Sequence, residues 1–484
     1  MAVTFLTNED QTIINEQISQ LTEEIIGLEV YVTPQQFGAE GDGMTDDTAA
    51  FQMAVDSGFD VLIPSGHYRC SNIIVTKKCS IIGVNDVRLT VPDSVNIPSY
   101  DSYTEDTLVL KVDASDVRLK DIQFDGNYSY FAESTGYDIN AKFSSYGVRV
   151  KEHSSNVTIS DCKFNNFKDA GVQIAGDCVA VTVEHNIFFD EAWPASFNRG
   201  IQVLESGDGH IAHHVLRNNQ IYNCGEHGIV VYTNNDCTRI ADNYIVMCGV
   251  QRTNPDGTDR FTKGACIKSV GCSNLLIEGN HCENGAQGAI IAPCNASSGY
   301  TPTHGLIIAN NRCIGYDADD SAGDGGIAIG DYSMDNRVCG NIIERVHIRK
   351  YQFNAAISAG NHAVVSDNVI FDCDNGIRAI SGLIANNIIT ASIPITVKSG
   401  ESIISGNKIQ GVSDKDAIAL YDPTNTVISG NTISTAKIGI IIRNSADNMH
   451  IYGNTFSNVP RNVVWQNVTP TNCKVDFEAV QTSS

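Results

Sequence analysis

The sequence predicts an all-β chain folded as a parallel β-helix, a solenoid in which each coil stacks on the coil before it. From about residue 117, the pattern apolar-x-apolar-x-x-Asn-x-apolar recurs at spacings of 19 to 37 residues. A second short apolar segment, usually opened by glycine, follows each copy. Both segments alternate apolar and polar residues with period two, which is typical of strands with one buried face. A propeller would need about four strands in each repeat of about 40 residues, which these units are too short to supply.

The recurring asparagine marks a turn between two strands of each coil. Asparagine tolerates left-handed backbone conformations, and its side-chain amide can hydrogen-bond to an identical residue stacked above it. Cys162 occupies the same column one coil earlier than the first asparagine. The aligned asparagines are Asn186, Asn219, Asn243, Asn280, Asn311, Asn341, Asn368, Asn387, Asn407, Asn431 and Asn454.

Five residues after the asparagine lies a column that the pattern predicts to be an interior stack. The fifteen cysteines are odd in number and form no C-x-x-C pair, so we interpret most of them as small apolar core residues rather than disulfides. The predicted interior stack comprises Phe167, Cys224, Cys248, Val346, Cys373, Val412 and Val459.

Before the coils, residues 7–28 place Ile14, Ile18, Leu21, Ile25 and Leu28 at alternating spacings of four and three. This pattern predicts a short helix or coiled coil, but about two heptads are too few to set an oligomeric state, and a single amphipathic helix is the alternative. The predicted organisation is a helical leader (1–30), an opening segment with a capping helix and the first coils (31–116), the main β-helix (117–457) and a C-terminal cap or tail (458–484).

The opening segment carries a specific motif. Residues 32–75 read "VTPQQFGAEGDGMTDDTAAFQMAVDSGFDVLIPSGHYRCSNIIV". The pattern FGA-x-GDG-x-TDDT-x-A-x-Q, followed by a strand and P-x-G-x-Y, resembles the start of pectate-lyase-like right-handed β-helix proteins. We therefore expect Thr45 or Asp46 to cap a helix that covers the open end of the solenoid. Calcium is not predicted here, because Asp42, Asp46 and Asp47 lack the alternating ligand spacing of an EF-hand loop.

With its helical leader, the chain resembles the tailspikes of bacteriophages and prophages. The resemblance implies a homotrimer that binds and depolymerises a bacterial surface polysaccharide, attached through its N-terminus to a phage tail or baseplate. The net charge of -24 and the absence of a basic run exclude nucleic acid as a partner. No apolar run is long enough to cross a bilayer and no signal peptide is evident, so we expect cytoplasmic synthesis and a final location in the virion.

Charged and polar residues concentrate around the glycine-led strands that begin near residues 171, 200, 228 and 264. Later coils have fewer charged residues at the equivalent position, where Gln287 and Asn375 lie. Long loops between the strands add Trp193 and Asp208. The predicted substrate-binding residues are Asp169, Trp193, Arg199, Gln202, His227, Tyr232, Lys263 and Lys268, with Gln173 beside them.

Glycoside hydrolysis requires two carboxyl groups, roughly 5 to 5.5 Å apart for retention or 6.5 to 9.5 Å for inversion. Strands in adjacent coils lie about 4.8 Å apart, so carboxylates one or two coils apart fall in this range. We predict Glu226 as the acid and Glu205 as the base or nucleophile, with Asp208 as the substitute. The sequence leaves open retention or inversion, and a site within one chain or between subunits.

Two other functions stay open. A polysaccharide lyase acting by β-elimination would use a cation and a base, for which Arg199, Arg260, Lys263 and Lys268 are candidates. A non-catalytic glycan-binding or structural tail protein is the alternative outside enzymes. The catalytic motifs of pectin hydrolases are not reproduced, which counts against pectin as the substrate.

No metal or cofactor is predicted. The acidic loop at 316–326 resembles an ordinary solvated loop more than a cation site. His210 and His214 share one face of a strand while His213 opposes them, and no glutamate stands at zincin spacing.

Overall fold

The chain folds as a right-handed parallel β-helix, as the sequence predicts. The computed structural model describes residues 31–93, 107–127, 145–189, 199–249, 252–253, 259–260, 264–293, 302–315, 325–347 and 355–476. The predicted helical leader at 1–30 and the acidic loop at 316–324 lie outside the described residues. No helix in the described part of the chain is both long and apolar enough to span a membrane.

Each coil contributes strands to three parallel stacks, named here stack 1, stack 2 and stack 3. Stack 1 precedes the asparagine column and forms one sheet of 17 strands. Its strands are Tyr31–Val32, Asp60–Ile63, Ser80–Gly83, Val117–Lys120, Val157–Ser160, Thr182–Glu184, Val215–Arg217, Arg239–Ala241, Leu276–Glu278, Ile307–Ala309, Arg337–Cys339, Ala363–Ser366, Gly382–Ala385, Ser402–Ser405, Val427–Ser429, His450–Tyr452 and Lys474–Asp476.

Stack 2 follows the asparagine column. Its separate strands are Asp42–Asp46, Gly66–Arg69, Val87–Thr90, Gln123–Asp125, Lys163–Asn165, Ile187–Phe189, Gln220–Tyr222, Tyr244–Val246, His281–Glu283, Arg312–Ile314, Ile342–Glu344, Lys408–Gln410, Thr432–Ser434 and Thr455–Ser457.

Stack 3 contains the glycine-led strands. Its separate strands are Ile73–Val75, Thr107–Val112, Ser145–Val150, Ala170–Ile174, Arg199–Val203, Ile229–Val231, Ala265–Ser269, Gly288–Ala292, Gly325–Ile329, Ala355–Ala359, Asp416–Tyr421, Ile438–Arg443 and Val463–Gln466. Two long strands, Val369–Ala379 and Ile388–Val397, run through stacks 2 and 3 and join them into one 29-stranded sheet. Arg252–Thr253 and Asp259–Arg260 form a separate antiparallel pair.

One α-helix, Thr48–Asp56, follows a 3-10 turn at Pro34–Phe37. Its buried side includes Phe51, whose ring lies edge-on to Tyr68 with centroids 5.1 Å apart. The N-cap residue is Asp47, so the prediction of Thr45 or Asp46 is wrong by one or two residues. Asp46 Oδ1 accepts a hydrogen bond from Thr48 N at 3.0 Å, and the Thr45 hydroxyl bonds to Asp42 and Glu40. The helix shields the apolar residues of the first coil from water.

The predicted asparagine column forms a continuous buried hydrogen-bond ladder from Asn186 to Asn454. At Asn311, for example, Nδ2 donates to Asn341 Oδ1 at 3.0 Å and to Ile277 O at 2.9 Å. The backbone N–H groups join the same ladder, and Cys162 N donates to Asn186 Oδ1 at 2.9 Å. Each amide thus pairs with the coils on either side and fixes their register.

The prediction that the ladder asparagines adopt left-handed backbone conformations is wrong. The left-handed residue is the one immediately before each asparagine, such as Asn310 with φ 56° or Gly340 with φ 68°. These preceding positions hold Asn, Asp, Gly or His, which is the composition expected where φ is positive. The ladder asparagine itself is required for its amide.

The interior is filled by inward-facing aliphatic residues and by cysteines. All fourteen described cysteines are free thiols and eleven of them are buried, so the predicted packing role is confirmed. Burial raises the pKa of Cys313 to about 12, which keeps this thiol protonated. Of the predicted interior stack, Phe167, Cys224, Cys248, Val346 and Cys373 are buried, while Val412 and Val459 are only partly so.

The coils continue past residue 457, where the sequence placed the start of a C-terminal cap. Val463–Gln466 pairs with Ile438–Arg443, and Lys474–Asp476 pairs with His450–Tyr452. Few charged residues and no aligned asparagine mark this last coil in the sequence, which is why the repeat pattern did not reveal it.

His214 occupies a second polar column, one residue before stack 1. It is fully buried, and its Nδ1 accepts a hydrogen bond from Val181 N at 3.2 Å. Asn336 does the same in a later coil, where its Oδ1 accepts from Leu306 N at 2.9 Å. Burial, together with nearby His210 and His213, lowers the pKa of His214 to about 3, so the imidazole is neutral at pH 7.

Replacing Asn311 by alanine should lower the free energy of unfolding by about 3 kcal/mol, because two buried Asn280 donors lose their acceptor. Thermal unfolding followed by circular dichroism measures the effect. Gln410→Ala, at an exposed stack 2 position, is the control and should change stability by less than about 0.5 kcal/mol. Equal stability of the two variants would contradict the role of the ladder.

His214 should make the fold sensitive to acid. Below about pH 6.5 the unfolded chain protonates this histidine while the folded chain does not, so stability falls as pH falls, by up to about 1.4 kcal/mol per pH unit. His214→Asn retains an acceptor for Val181 N, as Asn336 illustrates, and should flatten the fall between pH 6.5 and 4. Exposed His213→Asn should leave it unchanged. Denaturant unfolding at several pH values checks this, and parallel curves for all three proteins would refute it.

Candidate functional site

The hydrogen-bonded register of stack 3 brings several predicted site residues together at the amino-terminal ends of three strands. Arg199 pairs with Ala170 on one side. On the other side Ile201 pairs with Ile229, which sets Arg199 opposite His227. Asp169 and Glu226 each lie one residue before these partners. The four residues Asp169, Arg199, Glu226 and His227 are called the acid cluster below.

Arg199 and Glu226 form an ion pair at the centre of the acid cluster. The Arg199 side chain is 17 % exposed and that of Glu226 is 23 % exposed, so the pair is largely shielded from water. Glu226 Oε1 also lies 3.5 Å from His227 Nε2. Arg199 and the His227 imidazole therefore flank the Glu226 carboxylate.

His227 is fully buried, and its Nδ1 accepts a hydrogen bond from Ala265 N at 3.0 Å. Burial, with the positive charges of Lys268 and Arg199, lowers the pKa of His227 well below its usual value. The imidazole is therefore neutral at pH 7. Since Nδ1 is an acceptor, the proton lies on Nε2, which faces Glu226.

The second carboxylate of the acid cluster is Asp169. Its Oδ2 accepts a hydrogen bond from Ser145 N at 3.0 Å. Asp169 and Glu226 occupy the same column two strands apart, which separates their Cα atoms by about 10 Å. The two carboxylates thus lie at the same end of stack 3, with Arg199 on the strand between them.

The predicted pair of Glu205 and Glu226 is not brought together. Val203 lies opposite Val231, so Glu205 follows the carboxyl end of its strand while Glu226 precedes the amino end of the next. About seven residues of extended chain, roughly 20 Å, separate the two positions. The substitute Asp208 lies at the same far end, exposed and bonded to Asn234 Nδ2 at 3.1 Å.

The other predicted binding residues are divided between the strand middle and the far end. Gln173 and Gln202 are adjacent and buried, and Gln173 Nε2 donates to Gln202 Oε1 at 3.1 Å. Lys268 follows in the same outward column, opposite Val230. Tyr232 lies at the carboxyl end, beside the start of the Glu205 loop. Trp193 and Lys263 lie outside the described residues, as does the side chain of Arg260.

Asp169 was predicted only as a binding residue. The alignment of the chain's own repeats did not separate residues at the amino-terminal end of the stack 3 strands from residues at the carboxyl end. Counting backwards from the inward residues Val172, Ile201 and Ile229 places Asp169 and Glu226 in one column. The alternation of inward and outward residues therefore indicates that Asp169 and Glu226 are aligned. This alignment was missed because the loops between the strands differ in length.

A basic groove in later coils was also missed. A cavity of about 740 Å³ lies on the outer side of stack 3 between Ala355 and Arg443. The sequence pattern did not reveal this groove because three of its five basic residues, Lys398, Lys415 and Lys437, lie just outside the strands. Five basic side chains line the groove: Arg378, Lys398, Lys415, Lys437 and Arg443.

The three histidines considered for zinc do not converge. His214 is buried in the second polar column, His213 is exposed, and His210 Nε2 bonds to Cys178 O at 2.8 Å. Within the described ranges, no group of three or more His, Cys, Asp or Glu side chains is arranged to hold a metal ion.

Comparisons with family models match two parts of the chain. The model described as "Right handed beta helix region" matches residues 67–243. The model described as "Periplasmic copper-binding protein (NosD)" matches residues 308–473. Cys313 and Cys373 within the second match are buried, with pKa values raised by burial to about 12, so neither thiol is suited to copper ligation.

Three curated proteins are similar in sequence. Plasmin and fibronectin-binding protein A of Streptococcus pneumoniae is 23 % identical over 94 % of this chain and 60 % of its own length. The pre-neck appendage protein of Bacillus phage B103 is 29 % identical over 30 % of this chain and 16 % of its own. Alginate lyase 7 of Azotobacter vinelandii is 25 % identical over 41 % of this chain and 23 % of its own length. The chain thus spans at most three fifths of these relatives.

Two solved structures are also similar to this chain. The crystal structure of the S. pneumoniae adhesin PfbA aligns over 90 % of this chain and 93 % of its own, with a TM-score of 0.44 and 16 % identity. The pre-mature bacteriophage phi29 gene product 12 aligns over 96 % of this chain and 59 % of its own, with a TM-score of 0.48 and 14 % identity. The stacked parallel strands and the family model matched at residues 67–243 show that the chain is a right-handed β-helix protein.

Proposed function

We propose that the chain is a polysaccharide depolymerase that binds an acidic glycan along the outer side of stack 3 and hydrolyses it at the acid cluster. The observation that carries the proposal is the placement of Asp169 and Glu226 two strands apart, with the Arg199 guanidinium paired to Glu226 on the strand between them. Paired carboxylates at this separation leave room for a water molecule beside the anomeric carbon.

In this mechanism Glu226 is the base, which reverses the acid role that the sequence suggested. Arg199, on the strand between the two acids, holds the Glu226 side chain in place. Glu226 takes a proton from water as the water oxygen bonds to the anomeric carbon. The glycosidic C–O bond breaks, and Asp169 donates a proton to the leaving oxygen. The spacing implies inversion rather than retention.

The acidic character of the substrate rests on the basic residues around the carboxylates. Arg199 lies within the acid cluster, and Lys268 is close enough for its charge to lower the pKa of His227. A uronic-acid carboxylate would find cations there in a chain whose net charge is otherwise -24.

Elimination by a lyase mechanism is the second candidate, favoured by the position of Lys268 in the outward column of stack 3. A base would remove the proton next to the uronate carboxyl group, and the cation would stabilise the developing negative charge. The similarity to alginate lyase 7 supports this chemistry. The similarity to a streptococcal binding protein supports binding without cleavage.

The similarity to a phage pre-neck appendage protein supports a location on a phage particle. The proposed attachment through the N-terminal residues rests on the predicted helical leader. We propose a homotrimer for the same assembly. On stack 2, Ile342, Phe371 and Ile388 are each between 38 % and 49 % exposed and lie on consecutive strands. Such an apolar patch is typical of a subunit contact.

Glu226→Gln should reduce cleavage at least about 100-fold, because the base is lost while the shape of the side chain is retained. Asp169→Asn should do the same, whereas Glu205→Gln should retain full activity. The assay incubates bacterial capsular and cell-wall polysaccharides with each protein and measures reducing ends and the absorbance of unsaturated uronides.

Reducing ends without absorbance support hydrolysis, and absorbance identifies the lyase. Full activity of Glu226→Gln, or loss of activity in Glu205→Gln alone, would place the site elsewhere. Binding of a polysaccharide without new reducing ends or unsaturated uronides would contradict the proposed enzymatic activity.

Light scattering should give a mass three times the 52.2 kDa of one chain. Ile388→Lys should reduce the mass if the stack 2 patch lies at the subunit contact, because a charge would be buried without a partner. Ile403→Lys, at a similarly exposed stack 1 position outside the patch, is the matched control and should leave the trimer intact. A wild-type mass of one chain would refute the trimer.

A further inference from the structure

The basic groove crosses five strands of stack 3, from Ala355–Ala359 to Ile438–Arg443. Four strand spacings give it a length of about 19 Å along the solenoid axis. It begins four strands, or about 19 Å, beyond the strand that follows Glu226. The groove is therefore separate from the acid cluster but on the same side of the molecule.

The charge of the groove is opposite to that of the chain. Its five basic residues face four carboxylates, those of Asp374, Asp414, Asp416 and the Asp331 that Arg378 and Lys398 share, which leaves a net charge of +1 in a chain that carries -24. A local excess of positive charge in an acidic protein attracts anions that the remaining surface repels.

Arg443 is held rigidly at one end of the groove. Its Nη2 donates to Asp416 Oδ2 at 2.8 Å, its Nη1 to Tyr421 Oη at 2.7 Å and its Nε to Gln466 Oε1 at 2.9 Å. The guanidinium carbon lies 5.2 Å from the Tyr421 ring centroid. A fixed cation loses little side-chain entropy when it binds a ligand.

Arg378 and Lys398 share one carboxylate. Asp331 accepts two hydrogen bonds from Arg378, at 2.8 and 2.9 Å, and one from Lys398 Nζ at 3.2 Å. Burial opposes ionisation of Asp331, but the hydrogen bonds and charges of these two cations prevail and lower its pKa. Two cations against one carboxylate leave a positive charge facing the groove.

Lys415 and Lys437 supply the strongest indication of an anionic ligand. Lys437 N donates to Lys415 O at 2.8 Å, so the two lysines occupy neighbouring strands in the same column. Both are exposed, and neither forms an ion pair with any carboxylate in the described coils. Like charges on neighbouring strands repel each other, and a bound anion would relieve this repulsion.

We infer that the basic groove is a binding site for a segment of a polyuronate chain, separate from the site of cleavage. The basic residues would pair with the carboxylates of successive sugars. The groove's own aspartates suit a glycan rather than a nucleic acid, because they can accept hydrogen bonds from sugar hydroxyls but would repel closely spaced phosphates.

The test measures binding of polygalacturonate oligomers by isothermal titration calorimetry at low salt, using Glu226→Gln as the background so that cleavage does not interfere. Lys415→Gln with Lys437→Gln should weaken binding about tenfold, since two exposed ion pairs of about 0.7 kcal/mol each are lost. The matched control is Lys163→Gln with Lys408→Gln, which removes the same charge from exposed positions on stack 2 and should leave binding unchanged.

Salt should weaken binding to the background protein, and neutral dextran oligomers should not bind. No binding of polygalacturonate, equal effects of the two double variants, or equal binding of dextran would each overturn the inference. Tighter binding of single-stranded DNA than of polygalacturonate would also overturn it. Because binding is measured without catalysis, these outcomes are independent of whether the acid cluster cleaves a glycan.

Discussion

The in-register stacking of coils is the constraint on which the structure depends. Every coil pairs with the next at the same residue in three stacks, so a side chain's neighbours are set by its column rather than by its distance along the chain. The asparagine ladder enforces this register from within, because each buried amide bonds to the coils on both sides. A shift of one residue would leave those amides unpaired and turn the apolar residues outward.

The same register underlies the proposed chemistry. A glycosidase requires two carboxylates at a defined separation, and the strand pairing places Asp169 and Glu226 two strand spacings apart without any special loop. Asp169 and Glu226 gain their relation from the pairing of Ala170 with Arg199 and of Ile201 with Ile229. The basic groove arises similarly, since Lys415 and Lys437 are neighbours only because their strands pair. An acidic chain can thus present localised positive charge on one side.

Much of the fold could be predicted from the sequence because a solenoid repeats its pattern locally. The asparagine column, the glycine-led strands and the buried cysteines were all visible as periodic residues. The sequence did not reveal which residue of each turn is left-handed, because Asn occupies both positions, as at Asn310 and Asn311. The site was harder to predict because Glu205 and Asp169 flank opposite ends of strands only five residues long. Choosing between Glu205 and Asp169 as the partner of Glu226 requires the pairing register of the strands. That register cannot be read from the sequence because the loops between the strands vary in length.

The most direct test of the central claim is a crystal structure of the Glu226→Gln protein with a bound acidic oligosaccharide that the native protein cleaves. The account predicts that the sugar lies on the outer side of stack 3, with a glycosidic oxygen between Asp169 and residue 226 and a uronate carboxylate near Arg199. An oligosaccharide bound at the Glu205 end of the strands, or only between subunits, would contradict it.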